Sequence, residues 1–325
     1  MMKYATEGML PLIPQPPHDR IRRVLTRRFV ARRVEEQREM MRSVANGLID
    51  RFPAPGECEL LADFSHHYPI IVVCRLMGIP DADIGRFDRW TTDLGLLGRI
   101  PITPWVPQIE AALTGLYGYF RELVPQRRRA LGEDFVSAVI QAQTDSERLT
   151  EDEMFGALVN LLFAGHDTTR YQFGWLIYML LTCRDQWERL TADPGLAVGA
   201  IEESMRLTPS LRIVLRRADE DVEYHGVRFP AGTLIGINTL ATNIDPEVFD
   251  SPETFDITRG NASKQLIFGG GSRLCLRHAL ARAEMTEALR IFAGRFPDME
   301  LGGDVEFTPS PTLLGPERLP LRLRT

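Results

Sequence analysis

Cys275 follows a run of three glycines in the segment IFGGGSRLCLRHALAR, residues 267–282. A thiolate is both a nucleophile and a soft metal ligand, and the open N–H groups at a helix start favour that ionised form. Gly269 and Gly271 give the preceding turn backbone angles that other residues avoid, so it can press against a flat partner. Two plainer readings stand beside this one. A lone cysteine is usually a small buried apolar residue, and a glycine loop before a helix can cradle a phosphate. The phosphate reading is weak, because GxxxxGK[ST] is absent and Leu274 occupies the third glycine position of GxGxxG.

Two other constellations could work with that cysteine. In AGHDTT, residues 164–169, Ala164 and Gly165 leave room against a helix, while Asp167 and Thr168 can relay protons. The alternative is a solvent-facing polar patch at a kink. In EESMR, Glu203 and Arg206 are three apart on one helix face. That spacing suits either a surface ion pair of little worth or a buried bidentate pair.

These groups need elements to hold them. Apolar periodicity predicts helices over HDRIRRVLTRRFV, RVEEQREMMRSVANGLIDRF, CELLADFSHHYPIIVVCRLMGIP, WVPQIEAALTGLYGYFRELVPQRRRAL and LAVGAIEESMRL. Thr150 and Glu153 form a capping box, and the pattern after them predicts one uninterrupted helix to Leu181, about 45–50 Å long. Strands are expected in LRIVLRRA, VEYHG, VRFPAGTLIGINT and RLPLRLRT, and a further helix after Cys275. The fold class is therefore mainly α with a small β-sheet portion. With no linker or charge block, residues 1–325 read as a single domain.

Composition narrows the function. Of 325 residues, 44% are hydrophobic and 25% charged, which is long and apolar enough for a large core. A net charge of -6 argues against a general nucleic-acid partner. No apolar run is long enough to span a bilayer, so no membrane partner is expected. The four cysteines Cys58, Cys74, Cys183 and Cys275 form no CxxC pair, which fits a reduced, cytoplasmic setting.

In this order, the motifs resemble those of the cytochrome P-450 family of haem-thiolate monooxygenases, in particular its soluble bacterial type. The resemblance rests on AGHDTT, on ExxR at Glu203 and Arg206, on FDITR ending at Arg259, and on FGGGSRLC. PPHDRIRR is similar to the family's His-x-x-x-Arg helix and VRFPAGTLI to its sheet. The resemblance implies haem b (iron protoporphyrin IX) with Cys275 as axial iron ligand, pushing electron density toward the metal. It implies that Phe268, Gly269 and Gly271 shape the loop beside the sulfur, and that His18, Arg22, Arg216 and Arg273 hold the propionates. Ala164 and Gly165 would form the groove beside the cofactor. Asp167 and Thr168 would manage proton delivery during oxygen activation, and Glu203, Arg206 and Arg259 would form a structural network.

The implied activity inserts one oxygen atom of O2 into a small, hydrophobic organic substrate. Electrons would come from a ferredoxin-type donor with an NAD(P)H-dependent reductase, docking near Arg23, Arg27 and Arg28. A P-450-like protein that binds haem without efficient turnover, or a haem-free helical binding protein, remains open. SLRIV, residues 210–214, is expected to line the pocket, where Arg212 either meets a substrate carboxylate, faces a propionate or lies exposed. Two departures from the family stand out. The His-x-x-x-Arg motif begins at residue 18, which reads as an N-terminally short chain with an open sheet edge and a poorly covered pocket. And Arg277 takes the place of the family's glycine two residues after the cysteine, so a long cation must run along the haem edge or out to the surface.

Overall fold

The computed structural model describes residues 8–26, 31–53, 56–99, 101–143, 148–308, 310 and 312–324. The first helices are α1 (Pro17–Thr26), α2 (Ala31–Glu35) and α3 (Arg38–Ile49). They are followed by strand β1 (Glu57–Glu59), α4 (His67–Leu76), α5 (Ile84–Gly95), α6 (Val106–Arg129) and α7 (Phe135–Gln141). The centre holds α8 (Glu151–Ala164), α9 (Asp167–Thr182), α10 (Arg184–Ala192) and α11 (Ala197–Leu207). Then come β2 (Ile213–Arg217), β3 (Val222–Tyr224), β4 (Val227–Phe229), β5 (Leu234–Asn238) and α12 (Thr239–Thr242). The chain closes with α13 (His278–Arg295), β6 (Glu300–Leu301), β7 (Glu306–Phe307), β8 (Pro316–Arg318) and β9 (Pro320–Arg322).

Two apolar cores flank the central helices. One joins α3, α9, α11 and α13 around Trp187, Phe64 and Phe292. The other joins α1, α4, α6 and α8 around Phe87, Phe120 and Leu158. Ile71 on α4 packs against both. The sheets are small and antiparallel: β1–β9–β6, β2–β5, β3–β4 and β7–β8.

Several boundaries differ from the sequence expectation. The helix beginning at the Thr150–Glu153 capping box does not run unbroken to Leu181. It ends at Ala164 and restarts as α9 at Asp167. At this break the Thr168 hydroxyl donates to the Ala164 carbonyl at 3.1 Å, competing for a helical acceptor. The segment expected as one helix from Cys58 opens as β1 and a π-helical turn before α4. The strand predicted in RLPLRLRT is two short ones, β8 and β9, with Leu319 between them. Cys275 also lies outside the helix that follows it. A 3-10 turn over Gly271–Arg273 separates the glycines from the cysteine, and α13 begins only at His278.

Candidate functional site: a half-buried thiol between a cation cluster and a broken helix

Gly269 and Gly271 have φ of +68° and +65°, in the left-handed region that suits glycine. Gly269 is constrained twice, since a Cβ there would lie 3.1 Å from Arg216 Nη2. The loop closes when the Cys275 N–H donates to the Phe268 carbonyl at 2.9 Å. The Arg282 guanidinium lies 4.5 Å from the centroid of the Phe268 ring and is tied to Glu202.

Electrostatics set Cys275 apart from the other thiols. Burial pushes the Cys58 thiol up to about 12, and neighbouring Asp63 and Glu59 push the same way. Burial also raises Cys74 and Cys183, each with carboxylates nearby. Burial raises Cys275 as well, but its surroundings oppose this: the Arg277 backbone N–H hydrogen-bonds to it, and Arg277, Arg22 and Arg282 favour the thiolate. A positive metal would shift that balance further toward the thiolate.

The four residues expected at the propionates form a cluster of cations and one imidazole. His18 is buried, with Nδ1 2.8 Å from Asp19 Oδ1. Burial lowers its pKa; Asp19 opposes, and Arg273 and Arg22 add to the lowering. Arg273 donates to the carbonyls of Leu10 (3.2 Å), Pro11 (3.3 Å) and Ile13 (2.8 Å), which pins the first described segment onto the cysteine loop. Burial lowers its pKa, and despite Asp19 the neighbouring Arg216 and Arg22 lower it too. Arg216 donates to the carbonyls of Leu215 and Gly270. Of the docking arginines, Arg23 lies on α1, while Arg27 and Arg28 lie outside the described residues.

At the helix break, Ala164 is exposed and Gly165 buried. Asp167 is half-buried, with Arg170 Nη1 at 3.8 Å, and a Cβ on Gly95 would lie 2.7 Å from its Oδ2. The Thr168 carbonyl accepts from Ser210 Oγ at 3.1 Å. His166 anchors the break: its Nε2–H donates to the His66 carbonyl at 2.8 Å, leaving a buried Nδ1 without a hydrogen-bond partner. Burial lowers its pKa, which keeps the ring neutral. Sequence reading missed this anchor, because nothing in AGHDTT indicates a partner 100 residues away.

Glu203 and Arg206 form a fully buried bidentate pair, with Nε–Oε2 at 2.8 Å and Nη2–Oε1 at 2.7 Å. Arg259 Nε donates to the same Oε1 at 3.0 Å. Arg206 also donates to the carbonyls of Asn243, Pro252 and Thr254, and Arg259 to those of Asp250, Ser251 and Thr254. The three side chains therefore hold the irregular stretch that leads to the cysteine loop.

Arg277 turns inward. It is 6% exposed, and its Nη1 donates to the Leu161 carbonyl on α8 at 2.6 Å. A Cβ on Gly165 would collide with that same guanidinium. Nη2 lies 3.6 Å from Glu284 Oε1 on α13, and neither Glu284 oxygen has a hydrogen-bond partner. Burial pushes Glu284 up to about 7, with Arg277 opposing. The surface alternative for Arg277 is thereby overturned: an unbranched chain of this length reaches a free helix carbonyl, and glycine on the facing helix leaves it space. Glu284 was also missed; its signal is the i, i+7 spacing from Arg277 along one helix face.

A half-buried thiol with a backbone N–H and cations around it, a cluster able to take two carboxylates, and a broken helix nearby match the chemistry of a haem-thiolate site. The donor set fits the group: a soft anionic ligand for iron and charge-assisted donors for propionates. The comparisons agree. The family profile described as Cytochrome P450 matches residues 195–307. Cytochrome P450 107B1 of Saccharopolyspora erythraea is 34% identical over 312 residues, covering 94% of this chain and 75% of the relative. The crystal structure of P450BioI in complex with hexadec-9Z-enoic acid ligated acyl carrier protein superposes with a TM-score of 0.92 at 27% identity, covering 100% of this chain and 85% of that one. Myxobacterial CYP267B1 in complex with myristic acid gives a TM-score of 0.90 at 32% identity, covering 99% and 80%. The chain belongs to the cytochrome P450 family. It is an oxidoreductase of the monooxygenase type whose cofactor is haem. Among the described residues, no helix is long and apolar enough to cross a membrane.

Proposed function

We propose that this chain inserts one oxygen atom of O2 into a small organic substrate, using electrons from a ferredoxin-type protein that an NAD(P)H-dependent reductase recharges. The observation that carries the reading is Cys275, whose sulfur receives the Arg277 backbone N–H among three arginines. Haem bound there supplies the activation of O2, in which one atom enters the substrate and the other leaves as water. The residues do the rest. Cys275 holds the iron, and Phe268, Gly269 and Gly271 keep its loop close. His18, Arg22, Arg216 and Arg273 orient the propionates.

Thr168 holds a hydroxyl at the helix break, where it can pass on a proton, with Ala164 and Gly165 leaving space beside it. Asp167, half-buried next to Arg170, connects that hydroxyl to solvent. Glu203, Arg206 and Arg259 are structural. The cation-rich side of α1 suits an acidic donor. The cytoplasm, where such donors are kept reduced, is the setting this reading requires.

The test is the carbon monoxide spectrum of the reduced, haem-loaded protein and of Cys275→Ser. The parent should give a thiolate-type band that the variant loses. A histidine-type band that survives the substitution would sink the assignment. With a surrogate ferredoxin and a turned-over substrate, Thr168→Ala should retain haem but divert electrons to peroxide.

A further inference from the structure

The segment that faces the cysteine loop carries a cation, Arg212, whose buried Nε has no hydrogen-bond partner among the described residues. In the extended segment leading into β2, side chains alternate between two faces. Leu215 on one face is 56% exposed and points away from the protein. On the other face, Arg216 Nη2 and Val214 Cγ1 lie 3.1 Å and 3.7 Å from where a Gly269 Cβ would stand. Arg212 belongs to this inner face. Two residues before it, Ser210 Oγ donates to the Thr168 carbonyl. Four residues after it, Arg216 donates to the Gly270 carbonyl. Arg212 thus sits between the contact with the proton-handling helix and the contact with the cysteine loop, about 13 Å of extended chain before the latter.

Its backbone is fixed. The Arg212 N–H donates to the Thr312 carbonyl, and its own carbonyl accepts from Thr239 N–H, both at 2.9 Å. Its side chain is not. Nε is buried without a hydrogen-bond partner. Among the described residues no carboxylate pairs with it, whereas Arg206, Arg216, Arg259, Arg273, Arg277 and Arg282 all have carbonyl or carboxylate acceptors. Burial lowers its pKa, and no neighbouring charge opposes this. A guanidinium partly withdrawn from water without a counter-charge is unfavourable, and an anion with two acceptor oxygens in a plane satisfies it best.

We propose that Arg212 is the substrate anchor and that the substrate is a carboxylic acid, its carboxylate held by the Arg212 guanidinium while its apolar part extends along the face shared with Val214. This rests on the monooxygenase reading for what happens to the substrate, but not for its binding. The carboxylate stays ionised and unreacted, so oxidation falls on the carbon skeleton away from it.

The test uses octanoic, dodecanoic and naphthoic acids against their methyl esters, with the haem-loaded protein, Arg212→Gln and Arg212→Lys. Binding is read by calorimetry and by the substrate-induced change in the haem spectrum. At least one acid should bind the parent about tenfold to a hundredfold more tightly than its ester. Arg212→Gln should abolish that preference while leaving ester affinity unchanged, and Arg212→Lys should restore part of it. Equal affinity for acid and ester in the parent, binding of neither, or a preference that survives Arg212→Gln would overturn the assignment. A parent with no thiolate-type carbon monoxide band that still discriminates by calorimetry would overturn the monooxygenase reading and leave the anchor standing.

Discussion

At the residue scale, the most consequential departure from the family is Arg277. A buried guanidinium is stable only if its donors are met, and here the Leu161 carbonyl and Glu284 meet part of that need. Gly165 and Arg277 are therefore a matched pair, since any Cβ at 165 forces the guanidinium off its acceptor. Gly165→Ala should destabilise the parent by about 1–3 kcal/mol, as overpacking does. In an Arg277→Gly background the same change should cost far less, because the collision is gone. Thermal unfolding of the four proteins in this cycle measures the coupling. Additive effects would show that the two sites do not share space. Arg277→Gly should also lower the haem reduction potential, because it removes a fixed positive charge next to the thiolate.

At the element scale, the network on α11 replaces regular structure. The loop after α12 offers a series of backbone carbonyls, and Arg206 and Arg259 take up those of Asn243, Asp250, Ser251, Pro252 and Thr254. Glu203 is the shared counter-charge of both guanidinia, and it also accepts from the Asp256 N–H at 3.1 Å. Glu203→Gln removes the one negative charge that the two cations share and should cost about 3–5 kcal/mol. Arg206→Lys should be nearly as damaging, because one ammonium cannot reproduce a planar fork. Urea unfolding midpoints with haem content check both. A variant of either kind with parental stability and full haem would show that the loop is held by other means.

At the scale of the whole molecule, Glu284 links stability to pH. Its carboxyl is raised from 4.5 to about 7 by burial in the folded protein. Between those values the folded state holds a proton that the unfolded state has released. Stability should therefore fall as pH rises through this window, by up to about 3 kcal/mol. Asp88 acts in the opposite sense. Burial would raise it, but hydrogen bonds from His66 and His67 hold it well below the ordinary carboxylate range, so its contribution is lost only in strong acid. Melting temperatures from about pH 5 to about pH 8 should decline in the parent and flatten in Glu284→Gln. An unchanged slope in the variant would show that Glu284 does not titrate in this range.

The sequence by itself determined the features written in local chemistry. The capping box at Thr150 and Glu153, the glycines that turn toward Cys275, and the i, i+3 spacing of Glu203 and Arg206 each depend on residues close in the chain. Read in order, they were enough to reach the family and its fold class. Tertiary structure decided whatever depends on distant partners. The Glu203–Arg206 spacing was equally compatible with a surface pair, and only packing against the loop of residues 243–259 buries it. AGHDTT offered a kink but not a full break between α8 and α9, because apolar periodicity continues across it; Gly165 and His166 interrupt the helix where they meet Arg277 and the turn before α4. The direction of Arg277 was likewise undecided, since an arginine at a helix start reaches solvent or core with equal ease. A free carbonyl on α8, a glycine facing it and a buried carboxylate seven residues on turned it inward.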